Sequence, residues 1–164
     1  MIREATINDA KELAELINYV ENNSEFLLYE PGERKLTEKK QRQMIESFAT
    51  QSNATIFLAE KQDNLVGYVL LIGGKSKRTR HAAYLVIGIH PDYRGQRIGT
   101  ELFAHLEKWA NGNAIHRLEL TVVCENAAGV ALYKKYGFEV EGIKRDSLFI
   151  GGTYYDEYYM AKLL

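Results

Sequence analysis

The sequence predicts an α/β (α+β) fold in which a mixed, mostly antiparallel sheet of about seven strands is flanked by about four helices. Patterns typical of strands and helices follow one another in the order strand, helix, helix, three strands, helix, strand, helix, two strands. The run Ala82–Ile89 is almost wholly apolar, which is typical of a central strand covered on both faces. Because no repeat, low-complexity tract or linker interrupts the 164 residues, we expect a single domain over 1–164.

The N-terminal half predicts a strand, two helices and a hairpin. Leu13, Ile17 and Val20 recur at helical spacing behind Asp9, a residue type that caps helices. The segment Asn22–Leu36 mixes carboxylates, aromatic residues and a Pro-Gly pair, which is typical of irregular structure. The predicted elements are a strand at Ile2–Ala5, a helix capped by Asp9, a helix from Thr37 to about Gln51, and a hairpin of Thr55–Lys61 and Leu65–Ile72.

The C-terminal half adds two helices, a strand and a second hairpin to the central strand. Leu118, Leu120 and Val122 alternate with polar residues and so form one buried face of a strand. Asn126 and Gly137 are residue types that begin and end a short helix. The predicted elements are a helix that follows the glycine-bearing turn and ends at Gly112, a strand at Arg117–Val123, a helix at Ala127–Tyr136, and strands near Phe138–Ile150 and Thr153–Leu163 joined by Gly151-Gly152.

The composition argues against several classes of protein. A formal net charge of −1 disfavours general nucleic-acid binding, and no apolar run is long enough to span a membrane. Residues 1–9 lack the apolar stretch of a signal peptide, so we expect a cytoplasmic protein. The single cysteine, Cys124, allows no internal disulfide, and the four histidines form no cluster with metal-ligand spacing. We therefore expect no metal, no membrane partner and no nucleic-acid partner.

The junction Ile87–Thr100 carries the strongest functional signal. Here a strand runs through a basic, glycine-bearing turn into an amphipathic helix. Unpaired N–H groups converge in the first turn of a helix, the helix dipole favours negative charge, and Arg94 and Arg97 add positive charge. This pattern predicts a phosphate-binding site. The alternative is that Gly95 and Gly99 only shape a surface turn and that the arginines are solvated.

A second signature lies on the short helix near the C-terminus. Asn126 and Tyr133 are seven positions apart, which places them on nearly the same face of the helix. Leu132 and Tyr136 project to a different side and, with Phe138, can dock the helix on the sheet. One face is therefore predicted to pack, while the other presents an amide and a phenol towards the strand before the glycine turn.

With these two signatures in order, the sequence resembles the GNAT superfamily of N-acetyltransferases over most of its length. The run Arg94-Gly95-Gln96-Arg97-Ile98-Gly99 resembles the family's Gln/Arg-x-x-Gly-x-Gly/Ala pyrophosphate loop. The segment Asn126–Phe138 resembles its Asn-x-x-Ala-x-x-Leu-Tyr-x-x-x-Gly-Phe pattern, with the alanine shifted by one. Arg97 stands where the pattern has its first glycine. Because φ in the first turn of a helix is ordinary for any L-residue, we expect Arg97 not to impair phosphate binding.

The resemblance implies acetyl-CoA as the cofactor and assigns roles to both signatures. Free backbone groups of the strand pair with the pantetheine arm, the turn holds the pyrophosphate, and Tyr133 is the catalytic acid that protonates the leaving thiolate. Packing roles for Tyr133 and Gly88 and an N-cap role for Asn126 are the alternatives. The implied cofactor-binding residues are Ile87, Gly88, Ile89, Arg94, Gly95, Gln96, Arg97, Ile98, Gly99, Thr100, Asn126 and Tyr133.

The resemblance also implies that the segment between the first two helices and the terminal hairpin line the acceptor pocket. Their carboxylates and aromatic rings suit a cationic primary amine of an amino acid, a polyamine, a similar small molecule or a peptide N-terminus. The candidate substrate residues are Glu25, Glu30, Glu33, Tyr84 and Tyr154. Candidates for a general base are these three glutamates, Glu119 and His90, each of which can instead be exposed or ion-paired. An acceptor that is already partly neutral needs no base.

Two functions remain open from the sequence. The first is an acetyl-CoA-dependent N-acetyltransferase that acts by direct attack in a ternary complex, which the intact Asn126 and Tyr133 favour. The alternative is a non-catalytic acyl-CoA-binding sensor or interaction module with the same fold, which Arg97 at a glycine position favours. The exposed aromatic residues of the terminal hairpin are compatible with a homodimer.

Overall fold

A computed structural model describes residues 1–164 and shows one mixed sheet with helices on both of its faces. The strands are β1 Ile2–Glu4, β2 Thr55–Lys61, β3 Asn64–Gly73, β4 Ala82–Ile89, β5 Arg117–Val123, β6 Glu139–Ile150 and β7 Thr153–Leu163. The helices are α1 Ala10–Asn22, α2 Glu38–Ala49, α3 Ile98–Gly112 and α4 Ala127–Lys135, with short 3-10 helices at Ile7–Asp9 and Pro91–Tyr93. The sheet order is β1-β2-β3-β4-β5-β7-β6, and only β4 and β5 run parallel. The predicted fold class is confirmed.

The start of α1 differs from the prediction that the Asp9 side chain caps it. The Asp9 carboxylate accepts no hydrogen bond from the first turn of α1. It accepts one from the Thr6 N–H at 2.7 Å and is bridged by the Arg3 guanidinium, which lowers the pKa of Asp9. The carboxylate thus connects β1, through Arg3, to the turn before α1, through Thr6. At the end of α4, by contrast, Gly137 has a φ of +91°, as the predicted helix stop requires.

Two hydrophobic cores hold the layers together. On one face of the sheet, Leu102 and Leu106 of α3 pack against strand residues that include Leu85 and Leu118. On the opposite face, α1 and α2 pack over β2 and β3, with Leu13 fully buried. This second core contains no residue of β5, β6 or β7. None of the helices combines the length and apolar character needed to cross a bilayer.

The sheet opens in its middle, between β4 and β5. The parallel pairing runs only from Ala82 opposite Arg117 to Tyr84 opposite Glu119. Beyond that point β4 pairs with β3 alone and β5 pairs with β7 alone. One edge of 85–89 therefore has no neighbouring strand. The prediction that β4 is covered on both faces is wrong in this part, where Val86 is 37% exposed, because an apolar run does not reveal where a tertiary pairing ends.

Candidate active site

The open edge of β4 presents alternate backbone groups to the cleft between β4 and β5. Gly88 lies opposite Tyr68 in the antiparallel register with β3, and the next even residue, His90, donates its N–H to the Val66 carbonyl at 2.8 Å. In an antiparallel ladder, a residue bonds to one neighbour through both of its backbone groups, and its chain neighbours point to the other side. The N–H and C=O groups of Ile87 and Ile89 therefore point into the cleft.

The absence of a side chain at Gly88 is explained by packing on the face of the sheet that α1 and α2 cover. A Cβ built on Gly88 would lie 2.4 Å from the Tyr68 ring and 2.5 Å from its hydroxyl oxygen. Tyr68 itself is 2% exposed, and burial raises the pKa of its phenol well above the usual range. The packing role weighed for Gly88 is thus present. Tyr68, which the sequence analysis did not single out, lies against the cleft strand.

The loop before α3 has two residues in the left-handed region. Gly95 has a φ of +72°, and Arg97, the residue that precedes α3, has a φ of +65° and a ψ of 9°. The expectation that Arg97 has an ordinary helical φ is therefore wrong, because Arg97 lies one residue before the first helical turn. The conformation that a glycine adopts freely is here adopted by an arginine at a cost of about 1–2 kcal/mol.

The first turn of α3 offers free donors at the mouth of the cleft. The earliest helical bond runs from the Glu101 N–H to the Arg97 carbonyl at 3.1 Å, so the N–H groups of Ile98, Gly99 and Thr100 have no backbone acceptor. A hydrogen bond holds the first turn of α3 to the residue that follows α4, since the Thr100 and Tyr136 hydroxyl oxygens lie 2.6 Å apart. A Cβ on Gly99 would lie 3.3 Å from the Ile89 Cδ1, so a side chain there would require the end of Ile89 to shift slightly.

A third cation joins the two predicted arginines at this loop. Lys61, at the end of β2, donates from Nζ to the Gln96 Oε1 at 2.6 Å. Lys61, Arg94 and Arg97 are all exposed. No local sequence pattern points to Lys61, because it lies 35 residues before Gln96 and is brought there only by the β2–β3 hairpin.

Tyr133 projects from α4 into the same core that supports the cleft. Its ring packs edge-on against Phe103 and Phe138, with ring centroids 6.1 Å apart in both pairs. Burial raises the pKa of Tyr133 to about 12, and the nearby Tyr84 phenol adds to the rise. Because the pKa is about 12, the phenol keeps its proton at neutral pH. The Tyr133 hydroxyl makes no hydrogen bond within the protein and can therefore donate to a ligand.

Asn126 has the N-cap role weighed as an alternative. Its Oδ1 accepts the Gly129 N–H at 3.0 Å at the start of α4. The Nδ2 group makes no hydrogen bond within the protein and remains available as a donor. The cap therefore uses only the oxygen of this amide and leaves its nitrogen as a free donor.

Of the predicted substrate residues, only Tyr84 lines a cavity near the fork of β4 and β5. Its hydroxyl oxygen lies 2.8 Å from the Thr121 Oγ1 on β5. The cavity has a volume of ≈ 350 Å³ and is lined by Tyr84, Arg117, Glu119, Leu120, Thr121, Glu141, Tyr159 and Met160. Within it, Arg117 bridges Glu119 at 2.8 Å and Glu141 at 2.5 Å. Glu119 is therefore ion-paired, which is the alternative to a role as general base.

The other predicted substrate residues are not gathered at the cleft. Glu25, Glu30 and Glu33 are exposed and form no ion pair. Tyr154 is 63% exposed near the end of the β6–β7 hairpin, where its ring lies against Phe149. The segment that carries the glutamates does meet the hairpin through different residues, since the Phe26 and Tyr155 rings contact edge-on with centroids 5.9 Å apart.

The His90 ring makes a stacking contact through its face and a hydrogen bond through one nitrogen. It stacks on Tyr19 of α1 with centroids 4.6 Å apart, and its Nδ1 accepts the Asp92 N–H at 3.2 Å. A neutral imidazole that accepts at Nδ1 carries its proton on Nε2. The Nδ1 lone pair is therefore occupied by the Asp92 N–H.

Known proteins resemble this chain in sequence and in fold. Residues 19–138 match the model of the acetyltransferase (GNAT) family. An L-amino acid N-acetyltransferase of Escherichia coli (strain K12) is 32% identical over 101 residues, which are 61% of this chain and 62% of that protein. The chain spans about three fifths of the length of the curated relatives it matches.

Solved structures superpose over the whole chain. An acetyltransferase of the GNAT family from Streptococcus pneumoniae is 32% identical, with a TM-score of 0.95 over 100% of this chain and 98% of that one. A GNAT superfamily phosphinothricin acetyltransferase from Sinorhizobium meliloti, in complex with acetyl-CoA, is 19% identical and shares the fold with a TM-score of 0.86 over 100% and 88% of the two chains. The specific fold predicted from the two signatures is confirmed.

Proposed function

The chain belongs to the GNAT family of acetyltransferases, which use acetyl-CoA, and from this premise we propose that it transfers the acetyl group to a primary amine by direct attack in a ternary complex. The family and the cofactor, both predicted from the sequence, are confirmed. The acceptor is an amine of a small molecule, such as an amino acid or polyamine, or a peptide N-terminus. The observation that carries the proposal is the unpaired edge of β4, which leads from Tyr84 to the free N–H groups of α3.

The donor site follows from groups that the protein leaves without partners. The N–H and C=O groups of Ile87 and Ile89 bind an amide-bearing arm as an added strand would. The N–H groups of 98–100 and the helix dipole bind a diphosphate. Lys61, Arg94 and Arg97 surround that position with positive charge. These residues fit the two chemically different parts of acetyl-CoA in the order in which the molecule carries them.

Tyr133 acts as the general acid. Acetyl-CoA supplies the activated thioester when bound. A β4 N–H group stabilises the negative charge that develops on the carbonyl oxygen as the amine nitrogen attacks, and this type of stabilisation is worth about 3 kcal/mol per donor. As the C–S bond broke, the Tyr133 hydroxyl would give its proton to the sulfur and would then regain one from solvent. With a pKa of about 12, the phenol holds that proton throughout the neutral range.

No side chain of this site serves as a dedicated base. Glu119 is paired with Arg117, the His90 Nδ1 lone pair is occupied, and Glu25 is exposed on its segment. The acceptor therefore reacts as the neutral amine, and water takes the proton that it loses. It follows that the rate at low pH rises with the fraction of neutral acceptor.

Binding and turnover separate this function from the non-catalytic alternative. Calorimetry with acetyl-CoA measures donor binding, and release of free thiol measures transfer across a panel of amino acids, polyamines and peptides. We expect acetyl-CoA binding together with amine-dependent thiol release. Tight binding without thiol release for any amine would favour the sensor, and absence of binding would contradict both functions.

A further inference from the structure

An ion pair joins the end of α1 to the segment between α1 and α2. Glu21 is buried, with 6% of its surface exposed, and its carboxylate pairs with the Arg34 guanidinium through Nη2 and, at 3.4 Å, through Nε. The Arg34 guanidinium also lies over the Tyr29 ring, with its central carbon 4.3 Å from the ring centroid. Arg34 is therefore held from one edge and on one face.

The opposite edge of this guanidinium is free. An arginine has five N–H donors, and Glu21 uses one on Nε and one on Nη2. The three that remain lie on Nη1 and Nη2, the pair of nitrogens that bind a carboxylate end-on. Arg34 makes no other hydrogen bond in the protein, and 37% of its side chain is exposed. A rigidly held, half-exposed fork of donors is thus left without an acceptor.

The ion pair lies beside the cleft. Glu21 lies one helical turn after Ile17, on the buried face of α1 that packs over Tyr68 of β3. The Tyr68 phenol rests against Gly88 of β4. Burial raises the pKa of this phenol, and the Glu21 carboxylate adds to the rise. Tyr68 therefore lies between the buried face of α1, which carries Glu21, and β4 at the cleft.

We propose that the free edge of Arg34 binds a carboxylate of the acceptor, so that the substrate is an amine that also carries a carboxylate, as a free α-amino acid does. The inference rests on the proposed function and narrows it. Glu21 orients the guanidinium and neutralises its charge in the apo protein. The ammonium-only polyamines offer no partner for this fork, and a peptide N-terminus has an amide where the amino acid has its carboxylate.

The test compares matched acceptors on matched variants. The acceptors are the L-amino acid that the wild type acetylates best and its α-carboxamide, which keeps the amine and side chain but lacks the anion. The double variant Glu21→Gln/Arg34→Gln replaces the ion pair by two amides that can still bond to each other and leaves no buried charge unpaired. The lower amine pKa of the carboxamide affects both enzymes alike and cancels when their selectivity ratios are compared.

We expect the double variant to lower kcat/KM for the amino acid about 100-fold and for the carboxamide by less than about threefold. Equal losses on both acceptors would mean that the pair only holds the segment in place and would overturn the proposal. Arg42→Gln, which removes another arginine charge at an exposed pair with Glu38, is the control and should leave the ratio unchanged.

Two further outcomes are distinguishable. If the wild type prefers polyamines to amino acids, transfer to amines stands and the role of Arg34 is overturned. If the wild type acetylates no amine, both are overturned. Should the double variant fail to fold, Arg34→Lys keeps the partner of Glu21 but lacks the fork, and a loss of about tenfold confined to the amino acid is expected; an equal loss on both acceptors would again overturn the proposal.

Discussion

Arg97 precedes α3 in a left-handed conformation, and exchanging it for glycine measures the backbone strain at this position. At φ +65°, an L-residue is disfavoured by about 1–2 kcal/mol, whereas glycine is not. Glycine also gives the unfolded chain more freedom, which offsets roughly 0.5–1 kcal/mol. We therefore expect Arg97→Gly to raise the free energy of unfolding by about 0.5–1 kcal/mol, which is a rise in Tm of about 1–4 °C for a domain of this size.

Gly95 provides the reverse experiment in the same loop. Its φ is +72° and a Cβ there would meet no atom within 4 Å, so Gly95→Ala adds conformational strain without a clash. The same arithmetic with the sign reversed predicts a Tm lower by about 1–4 °C. Thermal unfolding without ligand measures both. Arg97→Ala keeps the strain while removing the charge, and should leave Tm near that of the wild type. A fall in Tm for Arg97→Gly would refute the strain argument.

Three other expectations follow from the site and the core. Tyr133→Phe should lower kcat at least about tenfold with nearly unchanged affinity for acetyl-CoA; because an acid works below its pKa, the Tyr133 pKa of about 12 predicts no loss of wild-type kcat from this phenol as pH rises to 10, and a steep fall between pH 8 and 10 assigned to it would contradict the role. Lys61→Gln should weaken acetyl-CoA binding in calorimetry and reduce its salt dependence, and unchanged affinity at low salt would remove Lys61 from the phosphate site. Gln41 is 1% exposed and neither polar atom of its amide has a partner, so Gln41→Met should raise the free energy of unfolding by about 1–2 kcal/mol in denaturant titrations, and a loss of stability would contradict that account.

Local patterns were enough to predict most of the fold. The observed bounds of β4, β5 and β7 are those predicted, because apolar runs, alternation and glycine turns are encoded within a few residues. The family followed from two short signatures for the same reason, since the turn at 94–99 and the helix of Asn126 and Tyr133 are each contiguous in sequence.

Features that depend on distant residues could not be predicted in this way. The divergence of β4 from β5 is a property of strand pairing, and Lys61 reaches Gln96 only through a hairpin. The expectation of an ordinary φ at Arg97 is wrong because a sequence does not show on which side of a helix start a residue lies. The loop glutamates looked suited to an amine, yet the carboxylate that is buried near the cleft is Glu21, on α1. The assigned site roles, the homodimer and the cytoplasmic location stay predictions.

Amide hydrogen exchange along β4, measured by NMR with and without acetyl-CoA, tests the donor site most directly. In the free protein the N–H groups of Ile87 and Ile89 point into the cleft, while that of Gly88 points to β3. We predict that acetyl-CoA slows exchange at Ile87 and Ile89, with little change at Gly88, and that the amides of 98–100 are protected with them. Unchanged exchange at these amides under saturating acetyl-CoA, or protection confined to another part of the sheet, would contradict the account.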